Sequence, residues 1–122
     1  MSLTDEVLVA ARTAAAAALE TGADEALALD VSSRLALTDA FLIISANNER
    51  LVSAVVDRIE EKLHALGIKP TRREGKAAGR WVLIDFGDLV VHVQHTEERE
   101  FYALDRLWQD CPQIDLELPE TA

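Results

Sequence analysis

The stretch WVLIDFGDLVVHVQH, residues 81–95, sets Asp85, Asp88, His92 and His95 into a largely apolar run, and each invites a chemistry. A carboxylate beside an imidazole is half of a hydrolytic triad. The other half is a nucleophile, and the chain has no Ser in a G-x-S-x-G elbow. His92 and His95, with Glu97 and Glu98 close behind, are zinc-ligand types, but residues three apart on a strand point to opposite faces and do not converge. DFG at 85–87 matches a kinase fragment in a chain far too short for that domain, and GKAAG lacks the spacing of a P-loop. Cys111 is the lone cysteine, with Pro112 directly after it and no base alongside. Neither an intrachain disulfide nor an activated thiol is expected, which fits a reducing cytoplasm. The residues therefore support no catalytic group, metal or cofactor, and the polar positions of 81–95 read as structural pairs or as part of a docking face.

Gly87 followed by Asp88 suits the two central positions of a type II′ turn, which wants Gly first. That turn sets the register: Phe86 opposite Leu89, Asp85 opposite Val90, Leu83 opposite His92 and Trp81 opposite Gln94. One face then carries Val82, Ile84, Phe86, Leu89, Val91 and Val93 and belongs in the core. The other carries Trp81, Leu83, Asp85, Val90, His92 and Gln94 and is the place to look for function. Asp85 and His92 become diagonal neighbours there, close enough to interact. In the helical stretch EEREFYALDRLW, capped by Thr96, the residues Phe101, Leu104, Leu107 and Trp108 form an inward stripe. Tyr102 turns away from that stripe by about 100°, where it can join Trp81 as an aromatic anchor pair of the kind that dominates interfaces.

These residues need elements to hold them. An alanine-rich helix is expected over 4–21, stopped by Gly22. EALALDV, residues 25–31, alternates as a short strand, and AFLIISA, residues 40–46, is a continuous apolar run typical of a strand buried on both faces. Asn47 or Asn48 can cap the next helix, whose Leu51, Val52, Val55, Val56, Ile59, Leu63 and Leu66 make one stripe ending at Gly67. KPTRRE predicts a further strand with Pro70 near its start, and GKAAGR a flexible loop before the hairpin. This order mixes hairpins with a strand–helix–strand crossover, so the expected fold class is α/β: a mixed five-stranded sheet flanked by helices. Residues 1–110 form the domain, and 111–122, with Pro112, Pro119 and several acids, are expected as an extended acidic tail.

Of the 122 residues, 49% are apolar and 28% charged, a composition that can bury a core; the formal net charge is −10. Such a surface repels nucleic-acid phosphates, so direct nucleic-acid binding is not expected, and it speeds encounter with a cationic protein. Asp5 and Glu6 stand where a signal peptide would be positive, and no apolar run approaches the roughly 18 residues of a membrane span.

The blocks TDAFLIISANNER, WVLIDFGDLVVHVQH and EEREFYALDRLW, in this order, resemble the Iojap family, also called the ribosomal silencing factor RsfS family, over roughly residues 4–110. The family pattern has Ser where Asn48 stands, a change that keeps the capping ability. The resemblance implies a translation repressor and no enzyme. It would bind large-subunit ribosomal protein fourteen, block joining of the small subunit under nutrient limitation, and form a homodimer when free. It also implies a nucleotidyltransferase-like fold, and a docking surface at Trp81, Asp85, Phe86 and Tyr102, with His92 beside them. Phe86 conflicts with the register above, which puts it on the core face. The alternative is a Mg-dependent nucleotide-handling enzyme using Asp85, Asp88 and Asp30. A working nucleotidyltransferase needs a Gly-Ser motif and paired metal-binding carboxylates; the chain has no Gly-Ser pair, and Asp85 and Asp88 flank a turn.

Overall fold

The Thr4 hydroxyl accepts a hydrogen bond from the Val7 N–H at 3.3 Å and opens α1 (Asp5–Thr21), as an N-cap should. Gly22, at φ +119°, closes it by turning the chain left-handed, a conformation that carries little penalty only for glycine. The computed structural model describes residues 4–76 and 79–118. After α1 come β1 (Glu25–Asp30), β2 (Ala40–Ala46), α2 (Glu49–Ala65), β3 (Arg72–Lys76), β4 (Trp81–Asp85) and β5 (Leu89–His95). The chain then runs through α3 (Thr96–Tyr102) and α4 (Leu104–Leu107) to β6 (Gln113–Ile114).

The sheet is mixed and has six strands in the order β3-β4-β5-β2-β1-β6, one more than expected. β2 and β5 run parallel at its centre and every other pairing is antiparallel. α1 and α2 cover one face. The small side chains of Ala10, Ala11, Ala14, Ala15 and Ala18 let α1 approach closely, and they bury against Leu42, Ile44, Ile84, Val91 and Val93. Truncating a fully buried Leu42 or Ile44 in such a core costs about 2–5 kcal/mol. α2 is capped by Asn48, whose side chain accepts from the Leu51 N–H at 2.8 Å.

The hairpin register agrees with expectation at every pair from Trp81–Gln94 to Asp85–Val90, and the Phe86 N–H donates to the Leu89 carbonyl at 2.9 Å. Three other expectations need correction. β3 lies at 72–76, so Gly75 and Lys76 belong to a strand; of the expected GKAAGR loop, residues 77 and 78 lie outside the described residues. The helix expected over 97–108 is broken at Ala103, which sits at φ 46° and ψ 54°, left-handed. The break turns Phe101 and Leu107 outward, 80% and 66% exposed, so only Leu104 and Trp108 of the expected inward stripe pack inside. Residues 112–118 are no loose extension: β6 pairs with β1, the Asp30 N–H donates to the Pro112 carbonyl, and Leu116 is buried in the main core. Backbone hydrogen bonds left open by β1 attract this stretch, a tertiary effect that its proline and acidic residues do not announce.

A candidate docking face

Strand alternation places Phe41, Ile43 and Ser45 of β2, Val90, His92 and Gln94 of β5, and Trp81, Leu83 and Asp85 of β4 on the sheet face away from α1 and α2. The 31–39 connection, α3 and α4 reach only part of that face. One end is sealed by a small second core of Leu29, Val31, Ile43 and Cys111 with Leu35, Phe41, Leu104 and Trp108 packed on it. Burial of Cys111 leaves its thiol no access to solvent chemistry.

Between the sealed end and α3 runs a chain of ring contacts. Phe101 meets Tyr102 at 5.0 Å between centroids, and Tyr102 meets Trp81 at 4.8 Å. Trp81 meets His92 at 6.0 Å, His92 meets Phe41 edge-on at 5.3 Å, and Phe41 meets Trp108 at 5.2 Å. Offset and edge-to-face pairs of this kind add about 0.5–1.5 kcal/mol each beyond their buried area. Arg34 caps the far end, its guanidinium 4.7 Å from the Trp108 ring. The Trp81 indole N–H donates to His92 Nδ1 at 3.2 Å, so this buried imidazole nitrogen serves as an acceptor that orients the tryptophan.

Asp85 fastens the turn. One oxygen accepts from the Gly87 N–H at 2.8 Å and the other lies 3.6 Å from Arg72 of the edge strand. Its carboxylate therefore sits at the rim of the aromatic row with its bonding directed to the hairpin tip. Asp30 occupies the opposite, helix-covered face, where it accepts from the Ser32 N–H and hydroxyl. Asp88 is exposed, and its carbonyl accepts from the N–H groups of Asp39 and Ala40. The three carboxylates of the enzymatic alternative thus do not meet on one face, and among the described residues no group of three or more His, Cys, Asp or Glu side chains could hold a metal ion.

Of the five expected docking residues, the structure brings together Trp81, His92 and Tyr102, with Asp85 on the same face. Phe86 is placed apart. It stands partly buried beside the turn, packed on the helix-side core next to Val7, Ala10 and Ile68. A separate surface depression of about 540 Å³ opens between the start of α1 and the end of α2, lined by Asp5, Glu6, Val9 and Leu66, far from the aromatic row. Sequence reasoning missed Phe41 and Arg34. Phe41 lay in a run read as buried on both faces, and only the parallel β2–β5 register puts it beside His92.

α3, which carries Tyr102, buries none of its residues, and polar links hold it. His95 Nδ1 accepts from the Glu97 N–H and Thr96 donates to Asp24 at 2.9 Å. Arg99 lies 3.3 Å from Glu25 of β1. Arg80 meets Glu98 at 2.9 Å, Glu97 at 2.5 Å and Glu49 at 3.3 Å. Those hydrogen bonds, Glu98 first, make Arg80 hold its proton even more firmly than a free arginine, and Arg80 in turn lowers the Glu97 pKa below the ordinary carboxylate value.

Fold and face together define a class: a mixed-sheet α/β domain with a row of aromatic contacts across the sheet face opposite α1 and α2. The chain belongs to the RsfS family, whose model, described as ribosomal silencing factor during starvation, matches residues 4–122. It is 41% identical over 104 residues to ribosomal silencing factor RsfS of Bacillus subtilis, covering 85% of this chain and 88% of that one. It is 41% identical over 95 residues to the protein of the same name from Halalkalibacterium halodurans, covering 78% and 81%. A crystal structure of a Chromobacterium violaceum protein superposes with a TM-score of 0.80 at 26% identity, covering 93% of each chain.

Proposed function

We propose that this protein is a translation-silencing factor that works by occupancy. It docks its Trp81–Tyr102 face on a basic protein of the large ribosomal subunit, large-subunit ribosomal protein fourteen, and so keeps the small subunit from joining when nutrients are short. Family membership supports the ribosomal role; the observation that carries the choice of surface is the stacked Trp81–Tyr102 pair, whose Tyr102 ring is exposed at the edge of the sheet face opposite α1 and α2. Trp81 is pre-oriented by His92, so little side-chain freedom remains to be lost on docking, the condition under which an aromatic anchor contributes most. Asp85 supplies negative charge at the rim, and the −10 net charge favours encounter with a cationic partner. Phe86 supports the turn from the core side. No bond is made or broken, the chain acts in the cytoplasm where ribosomes are, and the free protein pairs with a second copy.

The test is co-sedimentation of the purified chain with separated large and small subunits. Pelleting with the large subunit alone, weakened about thirtyfold or more in Trp81→Ala, is the expected result, because a hot-spot anchor is worth about 2 kcal/mol or more. A chain that stays in the supernatant with both subunits refutes the reading. Sedimentation velocity at two protein concentrations tests the dimer.

A further inference from the structure

Arg80 lies outside the aromatic row, yet the start of α3 is built around it. Its carbonyl accepts from the His95 N–H at 2.7 Å, and the His95 side chain in turn caps α3. Its guanidinium, a quarter exposed, takes one carboxylate from the first turn of α2, Glu49, and two from the first turn of α3, Glu97 and Glu98. Arg80 also directly precedes Trp81 in the chain. One residue therefore ties together the strand that carries Trp81 and the helix that carries Tyr102. The helix has no buried side chain to locate it otherwise. Gln94, paired with Trp81 across the hairpin, is fully buried with neither amide atom hydrogen-bonded, so its amide makes no hydrogen bond that could hold α3 in place. A planar guanidinium with five donors suits three acceptors, whereas removing it leaves three carboxylates facing one another.

We propose that Arg80 is the positioning residue of the docking face: by clamping Glu97 and Glu98 it sets α3 so that the Tyr102 ring lies on Trp81, without itself touching the partner. The docking part of this inference rests on the function proposed above; the positioning part does not.

Tyr102 is the only tyrosine of the chain, so biosynthetic 3-fluorotyrosine gives one fluorine resonance that reports stacking on Trp81. Trp81→Ala supplies the unstacked reference. In Arg80→Ala the resonance is expected to move to that reference position while the far-ultraviolet spectrum stays native. Large-subunit co-sedimentation should fall about tenfold, as for a misplaced anchor. Arg80→Lys, which replaces a fork by a single point charge, should give an intermediate shift. Should Arg80→Ala fail to fold, the Glu97→Gln/Glu98→Gln double variant weakens the same clamp from the other side and should show the same displacement. An unchanged resonance overturns the inference, because Thr96 and Arg99 would then suffice to hold α3. A displaced resonance with undiminished pelleting overturns its docking part. If the unaltered chain does not pellet at all, the ribosomal reading fails while the fluorine shift still decides the clamp.

Discussion

Ala103 shows how one residue governs what the surface displays. An alanine held at φ 46° pays roughly 1–2 kcal/mol for the left-handed conformation, and the turn it makes separates α3 from α4 and leaves Phe101 outside. Ala103→Gly should stabilise the protein by about 0.5–1 kcal/mol, part of the relief being offset by the freer unfolded chain. The urea midpoint should rise, and a lowered midpoint contradicts the account. Glu97 makes a second residue-scale prediction. Its pKa is depressed by Arg80, so its contribution is fully present above the ordinary carboxylate value and is lost only as pH falls through the lower folded value. A carboxyl NMR titration should place Glu97 below an ordinary glutamate and move it upward in Arg80→Ala. An unmoved midpoint rules Arg80 out as the cause.

Elements are held here by their ends as much as by their faces. Gly22 ends α1 at φ +119°; an added Cβ would meet Leu51 Cδ1 at 3.5 Å, an ordinary contact, so the backbone conformation and not crowding makes the site intolerant. Gly22→Ala should cost about 1–2 kcal/mol and lower the thermal midpoint by roughly 3–8 °C; an unchanged midpoint on calorimetry would show that the turn relaxes. β6 is short, but it covers the open edge of β1 and brings Leu116 into the core. A chain ended after Asp110 should unfold at lower temperature and associate beyond the full chain through the bared edge, which light scattering at several concentrations detects; association and midpoint equal to those of the full chain would show β6 dispensable. Much of this element structure was legible beforehand. Gly22, Asn48 and the Gly87–Asp88 turn act on their immediate neighbours, so the end of α1, the start of α2 and the hairpin register follow from local chemistry. The break at Ala103 was not legible, because alanine is a strong helix former and only the pull of Leu104 and Trp108 into the second core overrides it.

At the scale of the whole molecule, the docking proposed above assigns the acidic surface and the aromatic row different ranges. The charge acts over about a Debye length, near 8–10 Å at physiological salt, and the rings act on contact. Raising salt from about 0.05 to 0.5 M should therefore weaken large-subunit co-sedimentation mainly through slower association, while dissociation follows Trp81 and Tyr102. Surface plasmon resonance with immobilised large subunits separates the two rates, and a salt-insensitive association rate removes the role given to charge. Composition and pattern alone determined that this chain folds as a mixed α/β domain and which hairpin face is apolar. With the family resemblance, they also singled out Trp81, Asp85, His92 and Tyr102, together with Phe86, as candidate docking residues. Tertiary structure alone decided that Phe41 and Trp108 complete the row, that Phe86 faces the helices, that a sixth strand closes the sheet, and that Arg80 gathers Glu49, Glu97 and Glu98. Each of those outcomes joins residues far apart in the chain through parallel pairing, edge closure or ion pairing, and no local preference encodes which distant partner arrives.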